Sequence, residues 1–369
     1  MTLTAADGAL AEALAERTAA LCARPSPIGE EAALCGEVAA WAARFPHVRR
    51  IGDSLLVGVD APLAARSVAR PLVALRGHLD TVPVHADDRG PPRREGRKLV
   101  APGSSDMKGG LALMMALAEG LPASARFCDL ALVFYAREEG PYLENELERV
   151  LAEAPELEAA DLALCLEPTD NVLQVGCVGS IHATFEFTGR AAHSARPWQG
   201  ENAVHRAGAL LAELHARPPR VAVSGGHEFR EVLTVTRIEG GRARNVVPDE
   251  CKLNLNFRFA PDKTLERAEA ELLALGEAHG AAVTLTDRSP SCPAFGDHPL
   301  VRRLLERTHA PAEPKQAWTD VARLHVHGIP AVNLGPGATA QAHHRGEWID
   351  VEALARGYRL YERFLAADQ

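Results

Sequence analysis

Five short segments carry side chains that could bind a metal or move protons. The first is Gly77-His78-Leu79-Asp80-Thr81-Val82-Pro83, and the second is Gly103-Ser104-Ser105-Asp106-Met107-Lys108-Gly109-Gly110. The third is Arg137-Glu138-Glu139-Gly140, the fourth Glu167-Pro168-Thr169, and the fifth Ala342-His343-His344-Arg345-Gly346-Glu347. Imidazole nitrogens and carboxylate oxygens are donors that Zn²⁺ and other divalent ions accept. Alone, each segment is weak: a loop histidine is commonly packing, a Glu-Glu pair commonly solvated surface, and Gly-Gly commonly a helix start. Together they hold three histidines and six carboxylates, from which two imidazoles and three or four carboxylates could serve as ligands at one place.

The surrounding elements decide whether these side chains can meet. Apolar runs at residues 71–76, 130–136, 162–166 and 329–334 read as strands, and residues 109–119 and 143–152 as helices. This is the rhythm of an α/β sheet, in which ligands gather at the carboxyl ends of the parallel strands. Each polar segment follows such a strand or opens a helix, so the five are expected at one edge of one sheet.

At Gly179 the pattern changes: Ile181, Ala183, Phe185 and Phe187 alternate with His182, Thr184 and Glu186, as in a half-solvated strand. Residues 179–290 read as strand, helix (202–216), strand (232–238), strand (251–259), helix (265–279) and strand (282–286). That order suits a small two-layer α+β domain. A helix at 300–307 and a terminal helix from Val351 then resume the α/β rhythm. The predicted organisation is a catalytic α/β domain of residues 1–178 and 291–369, interrupted by an α+β domain at 179–290. A chain of 369 residues has room for two such units.

Composition excludes other classes. The formal net charge is -9, from 40 basic and 49 acidic residues, and the densest basic stretch, residues 89–98, holds no aromatic to stack a base. No nucleic-acid partner is expected. Residues 1–20 lack a basic segment followed by an apolar run, and no segment reaches the apolar length of a membrane span. Seven cysteines without a CxxC pair read as reduced, mostly buried thiols, so a cytoplasmic protein is expected.

The motifs at residues 77–83 and 105–110 resemble the first two metal motifs of the two-zinc deacylases and exopeptidases, a family of carboxypeptidases and N-acyl amino-acid deacylases. The resemblance covers nearly the whole chain. It implies a zinc-exopeptidase-like catalytic domain with an inserted lid and dimerisation domain, and two Zn²⁺ ions for which Co²⁺ can substitute. By this resemblance Asp106 bridges the metals, His78 and Glu167 complete one site, and Glu139 and His343 complete the other. A shared carboxylate offsets the repulsion of paired cations and fixes their separation. Asp80 is implied to orient His78 by accepting its free ring N–H, and Glu138 to act as general base. His343 is chosen over His344 because the family pattern places a histidine four residues before a glutamate, here Glu347.

The stretch Gly189-Arg190-Ala191-Ala192-His193-Ser194, followed by Gly200-Glu201-Asn202-Ala203, resembles the family's lid segment. There the histidine stabilises the oxyanion in the site of the other subunit, which implies a homodimer through the lid domain. Arg244-Asn245-Val246-Val247-Pro248 and Asn256-Phe257-Arg258-Phe259 resemble substrate-recognition segments, with Asn245 reaching the active site and Arg258 gripping a substrate carboxylate through its planar fork. A succinyl group carries one carboxylate more than an acetyl group, so such an arginine makes chemical sense, and the resemblance implies hydrolysis of a small N-succinyl amino acid. N-acetyl amino acids and peptides are the alternatives. A non-catalytic binding protein on the same fold is disfavoured by the complete ligand set together with Glu138.

Overall fold

The computed structural model describes residues 4–65, 69–88 and 90–368. Residues 1–3 of the N-terminal stretch and Arg89, which opens the basic segment, therefore lie outside the described residues. The chain divides into two compact units, residues 1–175, 295–313 and 323–369 in one, and 176–294 with 314–322 in the other.

In the first unit eight strands form one sheet in the order His47–Ile51, Ser54–Gly58, Asp129–Tyr135, Leu72–His78, Leu162–Cys165, Ala331–Asn333, Leu173–Val175 and Ala312–Pro314. Leu72–His78 is parallel to both neighbours, with His78 opposite Tyr135 and Arg76 opposite Cys165. Ala331–Asn333 continues the parallel set beside Leu162–Cys165. Every residue of Leu72–His78 is buried, as expected of a strand covered on both faces, and its apolar residues show no alternation, with Arg76 and His78 the buried polar members. Parallel direction places the segments after these strands at the same edge. Glu138 and Glu139 follow Asp129–Tyr135, Glu167 follows Leu162–Cys165, and the loop leading to His343 follows Ala331–Asn333.

Helix Gly109–Gly120 starts where the Asp106 loop ends. A Cβ at Gly110 would stand 2.6 Å from the Leu166 carbonyl oxygen, so glycine there lets the helix approach the strand end that carries Glu167. The helix read at residues 143–152 begins later, as Glu146–Glu153, because the Asn145 side chain accepts the Leu147 N–H and caps it. Two N-terminal helices, Ala5–Cys22 and Ala32–Ala42, and the hairpin of His47–Ile51 with Ser54–Gly58 also belong to this unit. Ala5–Cys22 opens on a reciprocal capping box between Thr4 and Asp7.

The second unit is an antiparallel sheet in the order Arg220–Ser224, His227–Gly240, Glu250–Phe259, Gly179–Thr188 and Ala282–Ser289. One face packs on helices Ala203–Ala216 and Leu265–His279, joining Ile181, Ala183, Phe185 and Phe187 to Leu210, Leu253, Leu255 and Leu272 in one core. This is a two-layer α+β arrangement, with one strand, Arg220–Ser224, beyond those expected. The compact unit is also wider than residues 179–290. A bridge between Cys177 and Cys292 closes its neck, and the Val178 N–H donates to the Lys315 carbonyl at 3.4 Å, drawing in residues 314–322.

Candidate metal centre

His78 ends its strand completely buried, with Nε2 3.2 Å from Asp106 Oδ1. One donor atom from each of His78, Asp106 and Glu139 falls within 4.8 Å of the other two. His343 joins them from the last loop, its Nε2 2.8 Å from Glu139 Oε2 and 3.7 Å from Asp106 Oδ2. His344 turns away, its Nδ1 against the Arg345 carbonyl. Glu167 is buried at its strand end and its charge acts on His78. The four residues His78, Asp106, Glu139 and His343 are thus gathered in one place, with Glu167 in electrostatic reach.

The electrostatics fit a cation. Burial alone would lower the His78 pKa, but the Asp106 hydrogen bond and the charges of Asp80, Glu138 and Glu167 outweigh it and hold the imidazole well above its ordinary value. Burial pushes Glu139 up, and the nearby Asp106 carboxylate adds to that, against the opposing His343 hydrogen bond. The hydrogen bond to Glu139 raises His343 to about 9. Carboxylates packed this closely need a positive partner. Divalent ions held among them would supply it.

Asp80 makes two kinds of contact at this edge. The atom within hydrogen-bonding distance of His78 Nδ1 is the Asp80 carbonyl oxygen at 3.0 Å, whereas carboxylate Oδ1 is 3.6 Å away. The carboxylate instead accepts the backbone N–H groups of Glu138 at 3.0 Å and Glu139 at 2.9 Å. Arg137, at φ 63°, turns the chain out of its strand just before this pair, and its N–H donates to buried Glu31 at 3.2 Å. Glu138 and Glu139 stand in the turn that follows, Glu139 within the metal-fitting group and Glu138 close enough for its charge to act on His78.

A second clamp holds the Asp106 loop. Glu347 accepts the N–H groups of Gly103 at 2.6 Å, Ser105 at 2.7 Å and Asp106 at 2.8 Å. Burial raises its pKa to about 7, although these three donors oppose the shift. The backbone after Ala331–Asn333 comes so close that a Cβ on Gly337 would lie 2.1 Å from the Ser105 carbonyl oxygen. The sequence does not single out Glu31, and it uses Glu347 only to set the register of His343. The N–H groups these carboxylates accept lie 106 and 241 positions away, and no local spacing announces those contacts. A cavity of about 450 Å³ beside the site is walled by Thr81, Asp88, His343 and Glu347, but it does not include His78, Asp106 or Glu139.

The remaining candidates belong to the second unit. His193 and Val246 pair in an isolated bridge, and the Ser194 N–H donates to the Asn245 carbonyl at 2.9 Å, so backbone contacts bring His193 and Asn245 together. His193 Nδ1 accepts the Ala195 N–H at 3.1 Å, which puts the proton of the neutral ring on Nε2. Arg258 lies on the sheet face opposite the helices, half-buried.

Residues 74–367 match the model of peptidase family M20/M25/M40. A Mycobacterium tuberculosis protein provisionally named as a succinyl-diaminopimelate desuccinylase is 36% identical over 354 residues, 95% of this chain and 97% of that protein. The succinyl-diaminopimelate desuccinylase of Corynebacterium glutamicum is 34% identical over 351 residues, covering 93% of each. Among solved structures, an M20 family metallo-carboxypeptidase from Sulfolobus solfataricus superposes with a TM-score of 0.73 at 14% identity, covering 95% of this chain and 98% of that one. With its fold and its buried His78, Asp106 and Glu139 group alongside these matches, the chain belongs to the peptidase family M20/M25/M40, whose members are metal-dependent hydrolases of amide bonds.

Proposed function

We propose that this protein hydrolyses N-succinyl-LL-2,6-diaminopimelate to succinate and LL-2,6-diaminopimelate, a step of lysine and diaminopimelate biosynthesis. The observation that carries the reading is the buried cation-fitting group of His78, Asp106 and Glu139 with Glu138 clamped at its border. The relatives named for that reaction, similar over nine-tenths of the chain, narrow the amide to a succinyl one.

His78 and Glu167 would hold one divalent ion, Glu139 and His343 the other, with Asp106 shared. Imidazole and carboxylate suit Zn²⁺, and Co²⁺ can take its place. When bound, such ions polarise the amide carbonyl and lower the pKa of water from 15.7 towards about 7. Glu138 takes a proton from the attacking water and delivers it to the leaving amine nitrogen. Asp80 keeps that carboxylate in place through the backbone N–H it accepts.

In the second unit His193 presents its Nε2–H to the oxyanion in the site of a partner subunit, Asn245 contacts the substrate, and Arg258 takes the carboxylate that distinguishes succinyl from acetyl. The active form is accordingly a homodimer through this unit, residues 179–290 acting as lid and dimerisation domain. A cytoplasmic location accords with seven free, buried cysteines, the thiol state of a reducing compartment. No helix among the described residues is long and apolar enough to cross a membrane.

The test is hydrolysis of succinyl-diaminopimelate, acetylornithine and a dipeptide side by side. The highest kcat/KM is expected on the succinyl substrate. A higher value on either of the others would overturn the substrate assignment.

A further inference from the structure

The face of the second unit's sheet that turns away from its helices carries a chain of polar contacts. Arg258 and Asn256 lie two apart on the strand Glu250–Phe259 and so share a face, and Asn256 pairs across the sheet with His182. Arg258 Nε donates to Asn256 Oδ1 at 3.0 Å. That bond fixes which end of the amide is nitrogen, and Asn256 Nδ2 in turn donates to His182 Nε2 at 2.8 Å. Burial, with the Arg258 charge adding to it, lowers the His182 pKa; a neutral ring is the form that can accept at Nε2.

The guanidinium is spent at one end only. Among the described residues neither Nη1 nor Nη2 of Arg258 has a hydrogen-bond partner, and Asp287 favours its charge without pairing to it. Burial lowers the Arg258 pKa, so the half-desolvated cation stands without a counter-ion in contact. An arginine held through Nε presents two parallel N–H donors, the geometry that matches a carboxylate. The side chain would otherwise lose rotamer freedom when it bound an anion, and a prior anchor reduces that cost.

We propose that Asn256, steadied by His182, is the positioning residue that sets Arg258 as a two-pronged receptor for the free carboxylate of the acyl group. This rests on the reading that Arg258 receives that carboxylate. Asn256 and His182 act through Arg258 and touch no reacting atom.

The experiment uses the full-length, metal-loaded protein and two substrates, the N-succinyl and N-acetyl forms of one amine. It reads the ratio of their kcat/KM values in the wild type, Arg258→Ala, Asn256→Ala, His182→Ala and the Arg258→Ala/Asn256→Ala double variant. Arg258→Ala should lower the ratio by one to two orders of magnitude, the range of a charge-assisted hydrogen bond to a carboxylate. Asn256→Ala should lower it about fivefold, the fold-change of one ordinary hydrogen bond, through KM for the succinyl substrate and not through kcat. The double variant should match Arg258→Ala alone. His182→Ala should shift the ratio the same way by less, and it serves alone if Asn256→Ala does not fold. If Arg258→Ala lowers the ratio while Asn256→Ala and His182→Ala leave it unchanged, or if the losses add in the double variant, the positioning role is overturned and Arg258 keeps its own. An unchanged ratio in Arg258→Ala defeats the reading beneath it.

Discussion

Asp80 Oδ2 accepts the backbone N–H of Glu139 at 2.9 Å, across 59 positions of sequence. With Oδ1 on the Glu138 N–H, one buried carboxylate sets the height of two catalytic candidates at once. Asp80→Ala should therefore disturb metal retention and proton transfer together. Two bonds to a charged acceptor, at about 1.5 kcal/mol each, correspond to a kcat loss of about a hundredfold. Metal content and kcat are the measurements, and full activity with full metal would remove the clamp from the argument.

Glu138→Gln isolates the proton transfer. Loss of a general base costs about 10²–10⁴ in kcat, and bound metal per chain should stay at the wild-type level because Glu138 is not one of the ligating candidates. A fall in metal content that parallels the fall in rate would reassign Glu138 as a ligand.

Chelation should abolish activity, and Zn²⁺ or Co²⁺ should restore it. Asp106→Ala ought to leave fewer than two ions bound and essentially no turnover, since that carboxylate is the one shared. Active enzyme found free of divalent ions by elemental analysis would contradict the whole centre.

Glu231 should make the stability of the second unit depend on pH. Burial pushes its pKa up, but hydrogen bonds from Arg220 and Lys263 outweigh burial and hold it below the ordinary 4.5. Its stabilisation is therefore present above about pH 4.5 and lost as pH falls through the lowered folded value. Glu231→Gln should destabilise at pH 7 by about 3 kcal/mol, since it leaves buried Lys263 short of a partner. The gap from wild type in denaturant titrations should close under acid. A gap that stayed constant down to pH 3 would point to packing instead of charge.

Glu138→Ala and His193→Ala should each be nearly inactive, and mixing, denaturing and refolding them should restore about a quarter of wild-type activity. Random pairing makes about half of the dimers mixed, and each mixed dimer has one intact site of two if His193 serves its partner. No recovery beyond the separate variants would show that the histidine acts within its own chain, or not at all.

Much of this was legible because strand ends and chemistry coincide. His78, Glu138, Glu139 and Glu167 each stand at or shortly after the end of a mostly apolar run, the first broken only by Arg76, and parallel strands bring such positions to one edge. Helix 265–279 was read to the residue because Thr264 caps one end and Gly280, at φ 67°, the other. Strand Arg220–Ser224 escaped notice because it is an edge strand, largely exposed, with only Ala222 buried, so no continuous apolar run or core-facing series marks it. The clamps by Glu31 and Glu347 could not be read at all: their acceptors serve backbone N–H groups, which every residue owns, and sequence does not mark which of them will be left over. For the same reason the sequence points to Asp80 beside His78 Nδ1 without marking that its carbonyl oxygen is the atom at hydrogen-bonding distance.

The Glu347 clamp also ties two candidate ligands to one loop. The N–H groups of Gly103, Ser105 and Asp106 are satisfied by an acceptor 241 positions beyond Asp106, and His343 stands four residues before that acceptor. A change at Glu347 therefore reaches Asp106 through its backbone and His343 through its loop, although Glu347 itself lends no atom to the group of His78, Asp106 and Glu139.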